Sequence, residues 1–255
     1  MTEALPVGNG FMGAMIFGGI EQEHIQFTEG TLWSGGPGSN PEYNFGNREV
    51  ASKYLLEVRQ LLQEGNREEA HRLASRLLTG VIHQKDGGPA FGDYGAQQTR
   101  GDLYVQVEQS GAIKNYRREL NLPTGKACVS YQAGKVKHQR TFFGSYTDKL
   151  MVYQFKNSAT ADYEISYISP HLSDSVEFNG QVVKFKGRVE DNNMEFETCL
   201  QLKTDGEIVY NDGQIWVKKA SELTICHLAA TDYTLEYPHY KGNDLEEIIT
   251  RYYRL

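Results

Sequence analysis

From residue 101 to residue 235 the sequence divides into short apolar runs separated by turn-forming pairs. The runs fall at 103–107, 136–143, 150–155, 163–168, 182–185, 196–202, 214–217 and 223–228. The pairs between them are Ala133-Gly134, Asn179-Gly180, Asp205-Gly206 and Asp212-Gly213. A two-residue hairpin needs backbone at positive φ, which glycine adopts freely and Asn or Asp tolerates. No helical period interrupts the series, so neighbouring runs are expected to pair antiparallel. The expected fold is mainly β, a large antiparallel β-sandwich.

The rest of the chain adds to this frame. Residues 1–46 are glycine-rich, with strand-like segments at 12–17 and 23–27 and a loop over 35–47. From Val50, apolar residues at Tyr54, Leu55, Val58, Leu61 and Leu62 keep a helical spacing that Gly65 ends. Asn66 and Glu69 form a capping pair for a second helix, which carries Ala70, Leu73, Ala74, Leu77 and Leu78 on one face and ends at Gly80. An αα-hairpin is therefore expected over 47–80, laid against a sheet, followed by a long irregular loop over 84–100. A final helix opens near Asn243, with Leu245, Ile248, Ile249, Tyr252 and Tyr253 on one face. Its stripe is either docked on the chain's own sheet or left for a partner, including a second copy.

Charge and cysteine usage exclude several classes of function. The chain has 255 residues and a formal net charge of −7, unlike the basic surface of a nucleic-acid binder. No apolar stretch reaches the length of a membrane-spanning helix, and no basic segment precedes the apolar run 11–20 as it would in a signal peptide. The three cysteines, Cys128, Cys199 and Cys226, are widely spaced and encode neither a disulfide framework nor a metal knuckle. The seven histidines show no ligand spacing, so neither metal nor cofactor is expected.

One motif imitates a nucleotide site. Gly8-Asn9-Gly10-Phe11-Met12-Gly13 fits G-x-G-x-x-G, and Glu29 stands where a ribose-binding acid would. That mechanism requires a strand before the glycines and a helix after them. Here Pro6 precedes and Gly18-Gly19 follows too soon for a helix, so a glycine-rich turn into a strand is expected. Carboxylates are numerous enough for glycoside hydrolysis, but number alone does not pair them. Glu29 is distinctive for its setting among glycines beside Trp33. An indole next to a glycine-rich loop suits the C–H face of a sugar, although tryptophan is more often packed in a core or interface.

Taken together, Ala4-Leu5-Pro6-Val7-Gly8-Asn9-Gly10, Gly13-Ala14-Met15-Ile16-Phe17-Gly18-Gly19 and Leu32-Trp33-Ser34-Gly35-Gly36-Pro37 resemble the amino-terminal domain of glycoside hydrolase family 95, the inverting α-L-fucosidases and related α-L-galactosidases. The resemblance continues through Gly101-Asp102-Leu103, Tyr116 to Leu122 and Ala229-Ala230-Thr231. It implies a β-sandwich domain over 1–240 and the start of a helical linker over 241–255. It also implies, as partner, an (α/α)₆ barrel that carries the catalytic residues in such proteins. On that reading the chain is a fragment, inactive alone, with no catalytic residue to assign. Asn9, Glu29 and Trp33 are then the candidates for the domain interface or the edge of the sugar pocket. The alternatives are a carbohydrate-binding module, with Trp33, Tyr43, Phe45, Phe91 and Tyr94 as an aromatic platform, and a purely structural cover for the barrel.

Overall fold

The computed structural model describes residues 3–39, 50–78, 95–211 and 213–253. Strands β1 (Leu5–Gly8), β2 (Met12–Ile16) and β3 (Gln22–Glu29) come first, then helices α1 (Ala51–Gln63) and α2 (Arg67–Leu77). There follow β4 (Gly101–Val107), β5 (Ile113–Asn121), β6 (Lys126–Ala133), β7 (Val136–Ser145) and β8 (Leu150–Ile168). The chain continues through β9 (Leu172–Asn179), β10 (Val182–Arg188), β11 (Glu195–Thr204), β12 (Glu207–Asn211) and β13 (Gln214–Thr231) to α3 (Leu245–Tyr253).

All thirteen strands belong to one hydrogen-bonded network, yet they form two layers because β8 and β13 are shared. The later part of β8 pairs with β4 and with the start of β13, as in Val105↔Ile165 and Val217↔Tyr163. Its earlier part pairs with β7 and with the end of β13, as in Phe142↔Tyr153 and Ile225↔Tyr153. Register shifts in β13 between Val217 and Ala220, and again before Glu222, mark the corner where the ribbon changes layer. One layer thus runs β1-β2-β3-β4-β8-β13-β12 and the other β5-β6-β7-β8-β13-β11-β10-β9.

The inner faces meet in a single core. Ile16, Ile25, Leu103 and Ile165 come from the first layer, and Val129, Phe142, Tyr153 and Ile225 from the second. Strict alternation of buried and less buried residues along β2, β3 and β6 follows from the period-2 geometry of strands. Each large apolar side chain buried this way contributes roughly 1.5–3 kcal/mol. The mainly β sandwich expected from the turn pairs is the fold observed. Asp212, in one of those pairs, lies outside the described residues.

A buried ion pair ties the layers at the end of the sandwich where β3 begins. Glu23 on β3 accepts from Arg140 Nη1 on β7 at 3.0 Å and from Gly18 N at 2.6 Å. Arg140 also donates to the carbonyl oxygens of Gly19 and Ile20 and to the Tyr131 hydroxyl. Burial raises the Glu23 carboxyl, and Arg140 opposes that rise. The Gly18-Gly19 turn is held further by Tyr116 Oη and Arg118 Nη1, which donate to Gly18 O and Phe17 O. A Cβ on Gly18, at φ 74°, would meet the Arg118 side chain at 2.6 Å.

The helices differ from expectation in two respects. The αα-hairpin is present, and Asn66 accepts from Glu69 N as the capping pair predicts. Its helices pack chiefly on each other, with Val58 and Ala70 buried and Leu56 and Leu62 exposed, rather than lying against a sheet. At the far end of the chain Asp244, not Asn243, caps α3 through Glu247 N. Leu245, Ile248, Ile249 and Tyr252 of the α3 stripe pack on the sheet. Ile249 is fully buried against Val182, Cys199, Leu228 and Ala230 on the outer face of the second layer. Of the two alternatives for this helix, docking on the chain's own sheet is the one observed. It also explains why consecutive residues of β11 are buried, since the strand has the core on one face and α3 on the other.

Candidate functional site

The ends of β3 and β13 and the starts of β4 and β11 converge at the opposite end of the sandwich. β3 stops at Glu29, and Gly30 N donates to Phe11 O at 2.9 Å. Leu32 then turns inward, fully buried with Val189, Met194 and Phe196. Its neighbour Trp33 turns outward and is 44% exposed. Alternation along an extended segment directs the two side chains to opposite sides. Trp33 bridges Gln97, and its Nε1 donates to Gly30 O at 3.0 Å, which fixes one edge of the indole.

Asn192 organises the loop that follows. Its Nδ2 donates to Trp33 O and Gly35 O at 2.8 and 3.0 Å, and its Oδ1 accepts from Met194 N. Gly35 N donates to the Asp191 carboxylate at 2.7 Å. A second wall comes from the excursion between β13 and α3, where Tyr233 bridges Lys241. The rings of Tyr233 and Tyr240 lie nearly parallel, at 7°. Lys241 Nζ donates to the carbonyl oxygens of Asn192 and Asn193, joining the two walls. Between them is a cleft of about 570 Å³, and no carboxylate is among its described lining residues.

Under the cleft lies a buried polar cluster. Glu29 is only 7% exposed; its Oε2 accepts from Thr31 N at 3.0 Å and Thr31 Oγ1 at 2.6 Å. Burial raises its carboxyl, against the Thr31 hydrogen bonds and the charge of Arg100. Arg100, just before β4, donates from Nε to Thr198 Oγ1 and from Nη2 to Ala230 O, with its guanidinium 4.0 Å from the Phe196 ring centre. Burial lowers Arg100 to about 10, against Tyr167, Glu29 and Glu197. His227 sits beside Phe27, with Nδ1 against the Tyr153 hydroxyl at 3.0 Å. Burial, and secondarily Arg100, lowers it to about 3. The carboxylate and arginine face inward, so this cluster supports the cleft floor and does not itself reach a ligand in the cleft.

A family profile described as the glycosyl hydrolase family 65 N-terminal domain matches residues 1–236. The chain belongs to this family. As a glycosyl hydrolase N-terminal domain it has α-fucosidase relatives. It is 36% identical over 154 residues to "Alpha-L-fucosidase 2" of Arabidopsis thaliana, covering 59% of this chain and 16% of that protein. It is 24% identical over 272 residues to "Probable alpha-fucosidase A" of Aspergillus oryzae, covering 98% of this chain and 35% of that protein. The chain therefore spans well under half of the curated relatives it matches. Among solved structures, "Putative kojibiose phosphorylase from human microbiome" shares the fold, with a TM-score of 0.54 and 11% identity over 99% of this chain and 32% of that one.

In this glycosyl hydrolase N-terminal domain the three sequence-predicted residues share one end of the first layer, with different roles. Trp33 lines the cleft and is exposed, so it is not packed in this domain's core. Glu29 lies beneath it. Asn9 is spent internally: Oδ1 accepts from Phe11 N and Met12 N, and Nδ2 donates to Ser145 O and Leu150 O. The nucleotide-like glycines lie on the β1–β2 hairpin, where Gly8 pairs with Gly13 and no helix follows. Tyr43, Phe45, Phe91 and Tyr94 of the expected aromatic platform lie outside the described residues. Asn192, Tyr233, Tyr240 and Lys241 were not anticipated. The tyrosine cluster Tyr233, Tyr237, Tyr240 around Pro238 was the available signal. Among the described residues no group of three or more metal-ligating side chains forms, and no helix is long and apolar enough to cross a membrane.

Proposed function

We propose that this chain is the non-catalytic N-terminal domain of an α-L-fucosidase-type glycoside hydrolase of family 95, serving an (α/α)₆ catalytic barrel. The observation that carries the reading is the alignment of nearly the whole chain with about a third of the Aspergillus oryzae probable α-fucosidase. The site chemistry agrees. Inverting hydrolysis needs two carboxyl groups roughly 6.5–9.5 Å apart across the scissile bond. Among the described residues the cleft has no lining carboxylate, and Glu29 is turned inward onto Thr31. In this reading residues 1–240 form the supporting sandwich and 241–255 begin the linker. The end that carries Asn9, Glu29 and Trp33 faces the barrel.

Two measurements test it. The 255-residue chain given an aryl α-L-fucoside is expected to show no turnover above background. Turnover that Glu29→Gln abolishes would overturn the non-catalytic role. The DNA downstream of codon 255 is expected to continue in frame into a barrel-sized segment, and an immediate stop codon would remove the barrel as partner.

A further inference from the structure

We infer that the cleft between Trp33 and the Tyr233–Tyr240 wall is a saccharide-binding site that holds a neutral sugar without cleaving it. This rests on the reading of the chain as part of a carbohydrate-active protein and assigns that role to particular side chains. Three observations carry it. The Trp33 indole is exposed, and among the described residues no ring stacks on it, while its Nε1 bond to Gly30 O and the Asn192 bond to its carbonyl hold it in place. An immobilised aromatic face gives contact area with little further loss of conformational freedom. The opposite wall presents Tyr233 and Tyr240 as near-parallel rings, aromatic surface suited to the C–H face of a sugar.

The third observation is chemical. The cleft, about 570 Å³, falls within the 300–1,000 Å³ usual for small-molecule sites. Its described lining includes Lys241 and His239 as polar groups and no carboxylate. Donors and aromatic faces without an acid pair provide for binding and not for glycosidic cleavage. The Lys241 ammonium is already held by two carbonyl oxygens, so the site does not offer a free cation to an anion. Neutral sugars are the class this arrangement fits.

The chain has two tryptophans, so Trp216→Phe leaves Trp33 as the only indole reporter. That variant, titrated with fucosyllactose, maltotriose and cellotriose, is expected to show a saturable emission change with at least one of them. Saturation-transfer NMR on the sugar, which needs no tryptophan, is expected to show binding to the native chain. Binding should weaken about tenfold in Trp33→Ala and less in Trp33→Phe, in the range of one aromatic contact. Circular dichroism confirms the fold of each variant. No saturable signal with any of the three sugars, or binding unchanged in Trp33→Ala, overturns the inference. Its failure is separable from that of the proposed function. Binding by a chain whose gene stops at codon 255 leaves the cleft and removes the barrel, whereas an in-frame barrel with no binding removes the cleft alone.

Discussion

Arg140 and Arg100 each reach from one layer of the sandwich into the other, and both are buried to within 2%. They sit near opposite ends of β3, roughly 20 Å apart at the rise of an extended strand. Arg140 meets the Glu23 carboxylate, two carbonyl oxygens and a tyrosine hydroxyl. Arg100 meets one threonine hydroxyl and one carbonyl, and stacks on Phe196; its Nη1 and the nearby His227 Nε2 find no hydrogen-bond partner among the described residues. The difference separates a closed end from the end that carries the cleft. Where the turn 17–21 seals the sandwich, the buried charge is fully matched. Beneath the Trp33 cleft it is matched only in part, and polar capacity is left over.

Substitutions can break this contrast. Glu23→Gln leaves Arg140 as an uncompensated buried charge and is expected to cost about 3–5 kcal/mol, read from the urea midpoint. The double variant Glu23→Leu with Arg140→Met, which removes both charges, should recover most of it. At the other end Arg100→Met removes the guanidinium that stacks on Phe196 and donates to Thr198 and Ala230, and with it a charge that Glu29 feels. The expected loss is about 1–3 kcal/mol. Equal losses for Glu23→Gln and Arg100→Met would erase the distinction.

Acid titration sharpens it. His227, lowered to about 3 from 6.5, contributes stability that is complete above 6.5 and is lost as pH falls toward 3. Glu29, raised from 4.5, contributes in the opposite sense: fully below 4.5, with loss as pH climbs through its raised value. Melting temperatures across this range should fall less steeply on acidification in His227→Gln, and more steeply in Glu29→Gln. The smallest effect belongs to Trp33→Ala, expected within about 0.5 kcal/mol on thermal melting because the indole is exposed. A larger loss would make Trp33 part of the framework and not of the cleft.

The sandwich was legible because its turns advertise themselves, as at Asn179-Gly180 between β9 and β10. The strands with no expected counterpart are β1, β5, β6, β9 and β12. β5 carries Lys114, Arg117, Arg118 and Glu119, and β9 is exposed along its whole length, so neither shows the one-sided alternation that burial imposes. In the sequence β8 and β13 each look like two short strands, because the layer change interrupts their alternation. The α3 stripe was visible, but its cover was not, since Val182, Cys199 and Leu228 are remote in sequence. The cleft was half legible. Trp33 stood out beside its glycines, whereas Asn192 and Lys241 act through backbone carbonyls and leave no pattern in the sequence.

Sharing β8 and β13 between layers also bears on how the domain forms and fails. Neither layer has a complete set of strands of its own, so neither can dissociate while the other survives; loss of structure should occur in one cooperative step. Formation has to wait for segments far apart along the chain, such as β4 with the later part of β8, which favours slow folding. The exposed stretch Ser158-Ala159-Thr160 lies at the bend of β8. A single proteolytic nick there would sever the strand that both layers need and so convert a local cut into a global loss.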